Sequence, residues 1–286
     1  MQWDAMKTFF TAVAIGLMSV SASAAPEAAD ALRARLEQLR PALERNDYGR
    51  PLHIDSHEAG ASQRGEVHAL VSQPFATVAE GLSEPRSWCA VLTLPFNVLR
   101  CEARGDTLSV YIGRKPQTAI EDATRIDLRL AVAARTPDFF QVQLSAPAGP
   151  AGTRDYRIAF AATPAESGRT FVRLQYGYSH GTLSRMALST YLATSGADKV
   201  GFSRDGGQLV GGVRGVTERN TMRYYLAIES FLQTLAVPRE RRLQARLESW
   251  FDATERYPRQ LHETERAGYL AMKRRELPAP ARPPAP

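Results

Sequence analysis

The stretch from residue 107 to residue 178 constrains this chain more than any other feature. Leu108-Val110-Ile112 interleaves with Thr107-Ser109-Tyr111, and Ile126-Leu128-Leu130-Val132 with Arg125-Asp127-Arg129. Phe140-Val142-Leu144 alternates with Gln141-Gln143, Tyr156-Ile158-Phe160 with Asp155-Arg157, and Val172-Leu174-Tyr176-Tyr178 with Arg173-Gln175. Strict period two, apolar against polar, predicts antiparallel strands with one face on a core and the other in water. The intervening segments carry the Gly, Pro, Thr and Asp of hairpins and short loops, so the pattern is a meander of about five strands and not a series of βαβ units.

Around this meander the sequence supplies helices. Leu32, Leu36, Leu39 and Leu43 recur at helical spacing between Ala25 and Arg45. Residues 50–64 are polar, hold Pro51 and Gly60, and read as a linker. Glu66 to Ser72 reads as extended and Pro74 to Leu82 as a short helix. Leu183 to Ala193 reads as a helix, Lys199 to Ser203 as a short strand, and Leu209 to Val216 as a glycine-rich strand. Thr217 is placed to cap a long helix, with Glu218 in its first turn. Tyr224, Tyr225, Ile228, Phe231, Leu232 and Leu235 give that helix a broad apolar face. Arg239 to Tyr257 and Gln260 to Glu276 are two charged amphipathic helices split by Pro258, and a Pro/Ala tail ends the chain.

The N-terminus carries an address. Met6-Lys7 precedes an uncharged, mostly apolar run from Phe9 to Val20, and Ala22 and Ala24 stand at −3 and −1 of Ala25. This is the pattern of a secretory signal peptide cleaved near Ala24. As a helix the run spans about 18 Å, short of a hydrocarbon core of roughly 30 Å. Bacterial export to the periplasm is the expectation. In an oxidising compartment Cys89 and Cys101 are candidates for a bridge across a bend at Pro95, with short strands at Ala90 to Leu94 and Phe96 to Arg100. Two separately buried thiols, or a catalytic cysteine, are the alternatives. Two cysteines in 286 residues exclude a disulfide scaffold and a four-cysteine zinc site.

The order strand, short helix, meander, helix, strand, long helix resembles the helix-grip fold of START-like (SRPBCC) domains. So does the opening stretch from Gly65 to Leu92, where a strand runs into a helix ending near Trp88. The resemblance covers residues 65–235 and implies an exported proteobacterial member of that family. Its fold class is α+β: a curved antiparallel sheet wrapped around a long C-terminal helix, with extra N- and C-terminal helices. The implied organisation is a signal peptide at 1–24, an N-terminal helix and linker at 25–64, and a START-like domain at 65–236. A helical extension at 237–276 and a tail at 277–286 complete it. What the resemblance implies of function is a lipid or other hydrophobic ligand held between sheet and helix, bound or transported, with no cofactor and no metal. A monomer is expected.

Several residues are candidates for that role. Tyr156, Tyr176 and Tyr178 share a strand face with apolar neighbours, as polar handles in an apolar pocket would. Arg214, Arg219 and Arg223 bracket the start of the long helix and could take an anionic headgroup, against the plainer reading of a solvated helix end. Gly177-Tyr178-Ser179-His180-Gly181 matches G-x-S-x-G, so a secreted serine esterase using Ser179 is the alternative enzyme reading. A non-binding structural or interaction protein is the third. Glycines 207–215 lack the Lys-Ser/Thr of a phosphate loop. His53-x-x-x-His57-Glu58 has metal-like helical spacing but falls in the expected linker, where it makes no metal site. The net charge of +6 is scattered arginine, so nucleic acid is not an expected partner. Lys273-Arg274-Arg275 could touch an anionic membrane or only solvate the tail.

Overall fold

A computed structural model describes residues 24–113, 118–181 and 199–277. The expected signal peptide, the helix read at Leu183 to Ala193 and the Pro/Ala tail from residue 278 lie outside the described residues.

Helix α1 (Ala24–Glu44) leads into hairpin β1 (Leu52–Ala59) and β2 (Ser62–Val71), then helices α2 (Phe75–Gly81) and α3 (Pro85–Leu92). The meander follows as β3 (Val98–Arg104), β4 (Thr107–Ile112), β5 (Thr124–Arg135), β6 (Phe140–Ala148), β7 (Thr153–Pro164) and β8 (Thr170–His180). After a two-residue ladder, β9 (Arg204–Asp205) with β10 (Gln208–Leu209), come four helices. They are α4 (Gly212–Gln233), α5 (Arg239–Thr254), α6 (Pro258–Leu261) and α7 (Arg266–Glu276). Strands β4 to β8 coincide with the alternating segments of the sequence.

The eight strands form one antiparallel sheet in the order β1-β2-β8-β7-β6-β5-β4-β3. One face carries Val67, Ala69, Val110, Leu144, Phe160 and Leu174 into the main core, against Met222, Leu226, Ile228 and Phe231 of α4. The other face packs Phe139, Ala161 and Phe171 against Leu32, Leu39 and Leu43 of α1. The fold is therefore three layers over part of its width, with the sheet in the middle.

Four sequence expectations are corrected. Residues 52–64 are not a linker: Gly60, at φ +60°, turns the hairpin that pairs Ala59 with Ser62. Leu52 and Ile54 face inward, but buried Ser56 in the next inward position hides the alternation. Residues 90–92 are helical, because Pro85 opens α3 and Trp88, Val91 and Leu92 form its buried stripe. The long helix starts at Gly212, so residues 212–216 are not strand and Thr217 is not its cap. Instead Thr217 donates to the Val213 carbonyl, 3.0 Å away, inside the helix. A Cβ at Gly215 would meet the Val210 oxygen at 3.0 Å and the Gly201 nitrogen at 3.2 Å, so this glycine serves helix packing. Lys199 to Ser203 forms no assigned strand, although Gly201 N–H does bond to the Val210 carbonyl at 2.7 Å.

The two cysteines are joined, with Cα atoms 5.2 Å apart, and the bridge ties α3 to β3 rather than strand to strand. The C-terminal helices share the main core: Leu247, Trp250 and Phe251 of α5 and Tyr269 of α7 are buried in it. Trp250 Nε1 donates to the Arg223 carbonyl of α4 (3.2 Å), and Tyr269 donates to the Leu94 carbonyl (2.8 Å).

Candidate functional site

The inner face of β7 and β8, where α4 crosses it, carries a cluster of phenols. Tyr176 donates to the Tyr156 oxygen at 3.0 Å, and the Tyr156 ring stacks on Tyr178 at 5.7 Å. Tyr224 of α4 completes the cluster, 5.3 Å from Tyr176. A bulge in β7 between Arg154 and Arg157 sets Tyr156, with Asp155 at φ +54°. Gly149 makes room for its ring, since a Cβ there would come within 2.5 Å of Tyr156 Cε2. Burial pushes the Tyr178 hydroxyl up to about 12 and raises those of Tyr156, Tyr176 and Tyr224, so all four stay neutral donors at ordinary pH.

Polar groups without partners lie beside this cluster. Gln63 stands opposite Tyr178 in the ladder, 2% exposed, and neither its Oε1 nor its Nε2 has a hydrogen-bond partner. His180, two positions beyond Tyr178 on the same strand face, is buried with its Nδ1 also unpartnered. An unpaired buried amide costs free energy of order 1–3 kcal/mol, so this end of the interior is polar at an expense to the fold. Sequence reasoning missed Gln63, His180 and Tyr224. Their signal, a polar or tyrosine residue at an inward-facing position, needs the register of β2 and the crossing point of α4.

The arginines do not converge on this cluster in one way. Arg214 pairs with Asp205 at 2.9 Å and reaches Ser56 Oγ at 3.3 Å; it lines an outer cleft of about 750 Å³ between β1, the end of α1 and residues 202–204. Arg219 is 2% exposed. Arg223 bonds to Asn220 at 3.2 Å and pairs with Glu263 of the C-terminal segment. Between them Glu218, fully buried, accepts from Ser56 Oγ (2.7 Å) and from the backbone N–H groups of Phe202 (2.6 Å) and Ser203 (2.8 Å). It fastens α4 to β1 and to residues 202–203 rather than answering a helix dipole. Lys273 is likewise internal: its Nζ donates to the Val98 carbonyl at 2.6 Å and pairs with Glu276 at 3.0 Å. Of the basic cluster Lys273-Arg274-Arg275, only Arg274 and Arg275 are exposed.

An antiparallel sheet curving around one long helix, with a helix pair between the second and third strands, is what these elements build. The fold is a START-like helix grip. Solved structures similar to it include human StAR-related lipid transfer protein 5 (11% identity, 74% of this chain and 97% of that one, TM-score 0.34). Another is a START superfamily protein from Mycobacterium smegmatis (12%, 46% and 91%, 0.32), and a third is truncated norcoclaurine synthase from Thalictrum flavum (12%, 50% and 88%, 0.34). Such distant likenesses carry no argument of their own; the arrangement of elements does. No protein-family model and no curated protein matches the chain.

Within this helix grip the G-x-S-x-G segment is not a nucleophile elbow. Residues 177–180 continue β8 between two antiparallel neighbours, and Ser179 Oγ lies 3.3 Å from Ser62 Oγ, not against a histidine. An elbow needs a sharp strained turn from strand to helix, and Ser179 has no left-handed φ. His53 and His57 lie on one face of β1 with Asp55 between them, at 3.3 Å and 3.6 Å from its oxygens. Among the described residues no group of three or more His, Cys, Asp or Glu side chains is placed to hold a metal ion.

Proposed function

We propose that the chain binds an apolar molecule bearing a small uncharged polar group, held between the inner face of β2, β8 and β7 and helix α4. The observation that carries this reading is the unsatisfied Gln63 amide beside four neutral phenols. A ligand hydroxyl, carbonyl or ester there would complete their hydrogen bonds while its apolar remainder meets core side chains. Neutral donors and acceptors select against a full charge, which would lose its hydration with no counter-ion. Export to the periplasm belongs to the same proposal, supported by the signal pattern before Ala25 and by the Cys89–Cys101 bridge.

The test is native mass spectrometry and solvent extraction of the protein purified from its own cells. A stoichiometric small molecule, lost in Gln63→Leu while the circular dichroism spectrum stays native, is expected. A protein that carries nothing and takes up no fluorescent fatty-alcohol or fatty-acyl probe overturns the reading. N-terminal sequencing of the exported protein is expected to begin at Ala25. One observation favours a second reading: the rings of Tyr156, Tyr176, Tyr178 and Tyr224 already touch one another, as in a structural or interaction protein whose interior its own side chains fill. An empty protein in the same experiment supports that one.

A further inference from the structure

A groove of about 400 Å³ opens on the outer face of β2, β8 and β7, behind the tyrosine cluster. Its floor follows the sheet register. Arg64 stands opposite Gly177, and Gly177 opposite Arg157, so one row across three adjacent strands reads arginine, glycine, arginine. The next row reads Ser62, Ser179, Arg154. Neighbouring strands are ~4.8 Å apart, which puts the two arginine backbones about 10 Å apart with no side chain between them. Position 177 is kept bare by the sheet as well, because a Cβ there would stand 3.0 Å from the Gln63 carbonyl oxygen.

The charge of this groove is uncommitted. Arg125 and Arg129, on the outer face of β5, are by contrast neutralised in place, by Asp127 at 2.9 Å and by Asp106 at 2.8 Å. Arg64, Arg154 and Arg157 are exposed, and among the described residues no carboxylate lies within ion-pair distance of them. One carboxylate, Asp155, is among the residues lining the groove. Two guanidinium forks flanking an unobstructed floor, with two serine hydroxyls alongside, match a tetrahedral oxyanion, whose oxygens accept several charge-assisted bonds at once.

We propose that this groove is a binding site for a phosphate-type anion, presented either as a soluble phosphate or as the headgroup of an anionic phospholipid. The site uses the outer face of β8 and is independent of the interior ligand, so either assignment can fail alone. It also gives the glycine-serine motif a use: Gly177 clears the floor and Ser179 donates to the anion.

Calorimetric titration with inorganic phosphate at low ionic strength, and co-sedimentation with phosphatidylglycerol vesicles, test the proposal, with phosphatidylcholine vesicles as control. The wild type is expected to bind phosphate, phosphatidylglycerol vesicles or both. The double variant Arg64→Gln/Arg157→Gln is expected to bind at least tenfold more weakly with an unchanged melting temperature, and Arg125→Gln to bind as wild type. Phosphate binding without vesicle binding assigns a soluble ligand, and vesicle binding assigns a headgroup. Failure of the wild type to bind either probe overturns the site, as does full binding by the double variant or equal binding to phosphatidylcholine.

Discussion

At Gly65 helix α4 comes close against the sheet. A Cβ at this position would lie 2.2 Å from Thr221 Oγ1 and 3.2 Å from Thr217 Cγ2, so the small side chains of β2 and α4 set how near the helix can come. Gly65→Ala is expected to destabilise by roughly 1–3 kcal/mol, as overpacked cores do. Combining it with Thr221→Ala, which removes the clashing oxygen, is expected to recover part of that loss in chemical denaturation. No recovery would mean the glycine is needed for the backbone itself. A second residue, His68, lies on the opposite face of β2, fully buried and stacked on Phe171 at 5.8 Å. Burial, and next the charge of Arg35 on α1, hold its imidazole down at about 3, against the opposing pull of Asp55. Arg173 and His53 face it too and push the same way. The folded value lies below the unfolded one, ~6.5, so in this range the unfolded chain binds the proton and the fold does not. Stability is therefore full above pH ~6.5 and falls as pH drops towards 3, by up to about 1.4 kcal/mol per unit. The pH dependence of the denaturation midpoint over that window should flatten in His68→Phe, and an unchanged slope would discharge His68 from the role.

At the scale of elements, what could be read from sequence and what could not divides on one physical point. Strands β4 to β8 expose one face or meet a thin second layer, so their alternation is written in residue type. Hairpin β1–β2 also alternates, but its inward positions include two polar residues: Ser56, which bonds to Glu218 far along the chain, and Gln63, buried opposite Tyr178 with no hydrogen-bond partner. The start of α4 was hidden for a related reason, because Gly211, Gly212 and Gly215 read as strand or loop until the packing against Gly201 is known. The three tyrosines were legible as inward residues, whereas Gln63 and His180 were not. Helix α3 and strand β3 depend on their bridge in a measurable way. Closing a loop of this length contributes about 3 kcal/mol on the chain-entropy model, so reduction should lower the melting temperature. Thiol titration of the unfolded, unreduced protein should find no free cysteine.

For the molecule as a whole, residues 237–277 belong to the same core as the sheet. Leu247, Trp250, Phe251 and Tyr269 are buried in one core with residues of the sheet, α3 and α4, and Lys273 closes on Val98. Phe231, on α4, is 3% exposed and has the Arg246 guanidinium 4.3 Å over its ring, an arginine that burial and Arg242 bring down to about 10. A chain ending at Leu235 would expose these surfaces together. It is expected to lose cooperative thermal unfolding and to bind a hydrophobic dye, and a truncated protein that melts as sharply as the full one would show the helices to be accessory. Phe231→Ala in the full chain is expected to cost roughly 3–5 kcal/mol.

The bonds from Tyr269 to Leu94 and from Lys273 to Val98 each join positions 175 residues apart. They have a consequence in time as well as in space. Contacts that close long loops form late and slow the search for the native state. Beside the Cys89–Cys101 bridge, the α3–β3 corner therefore takes on these two hydrogen bonds only when α7 docks, late in folding.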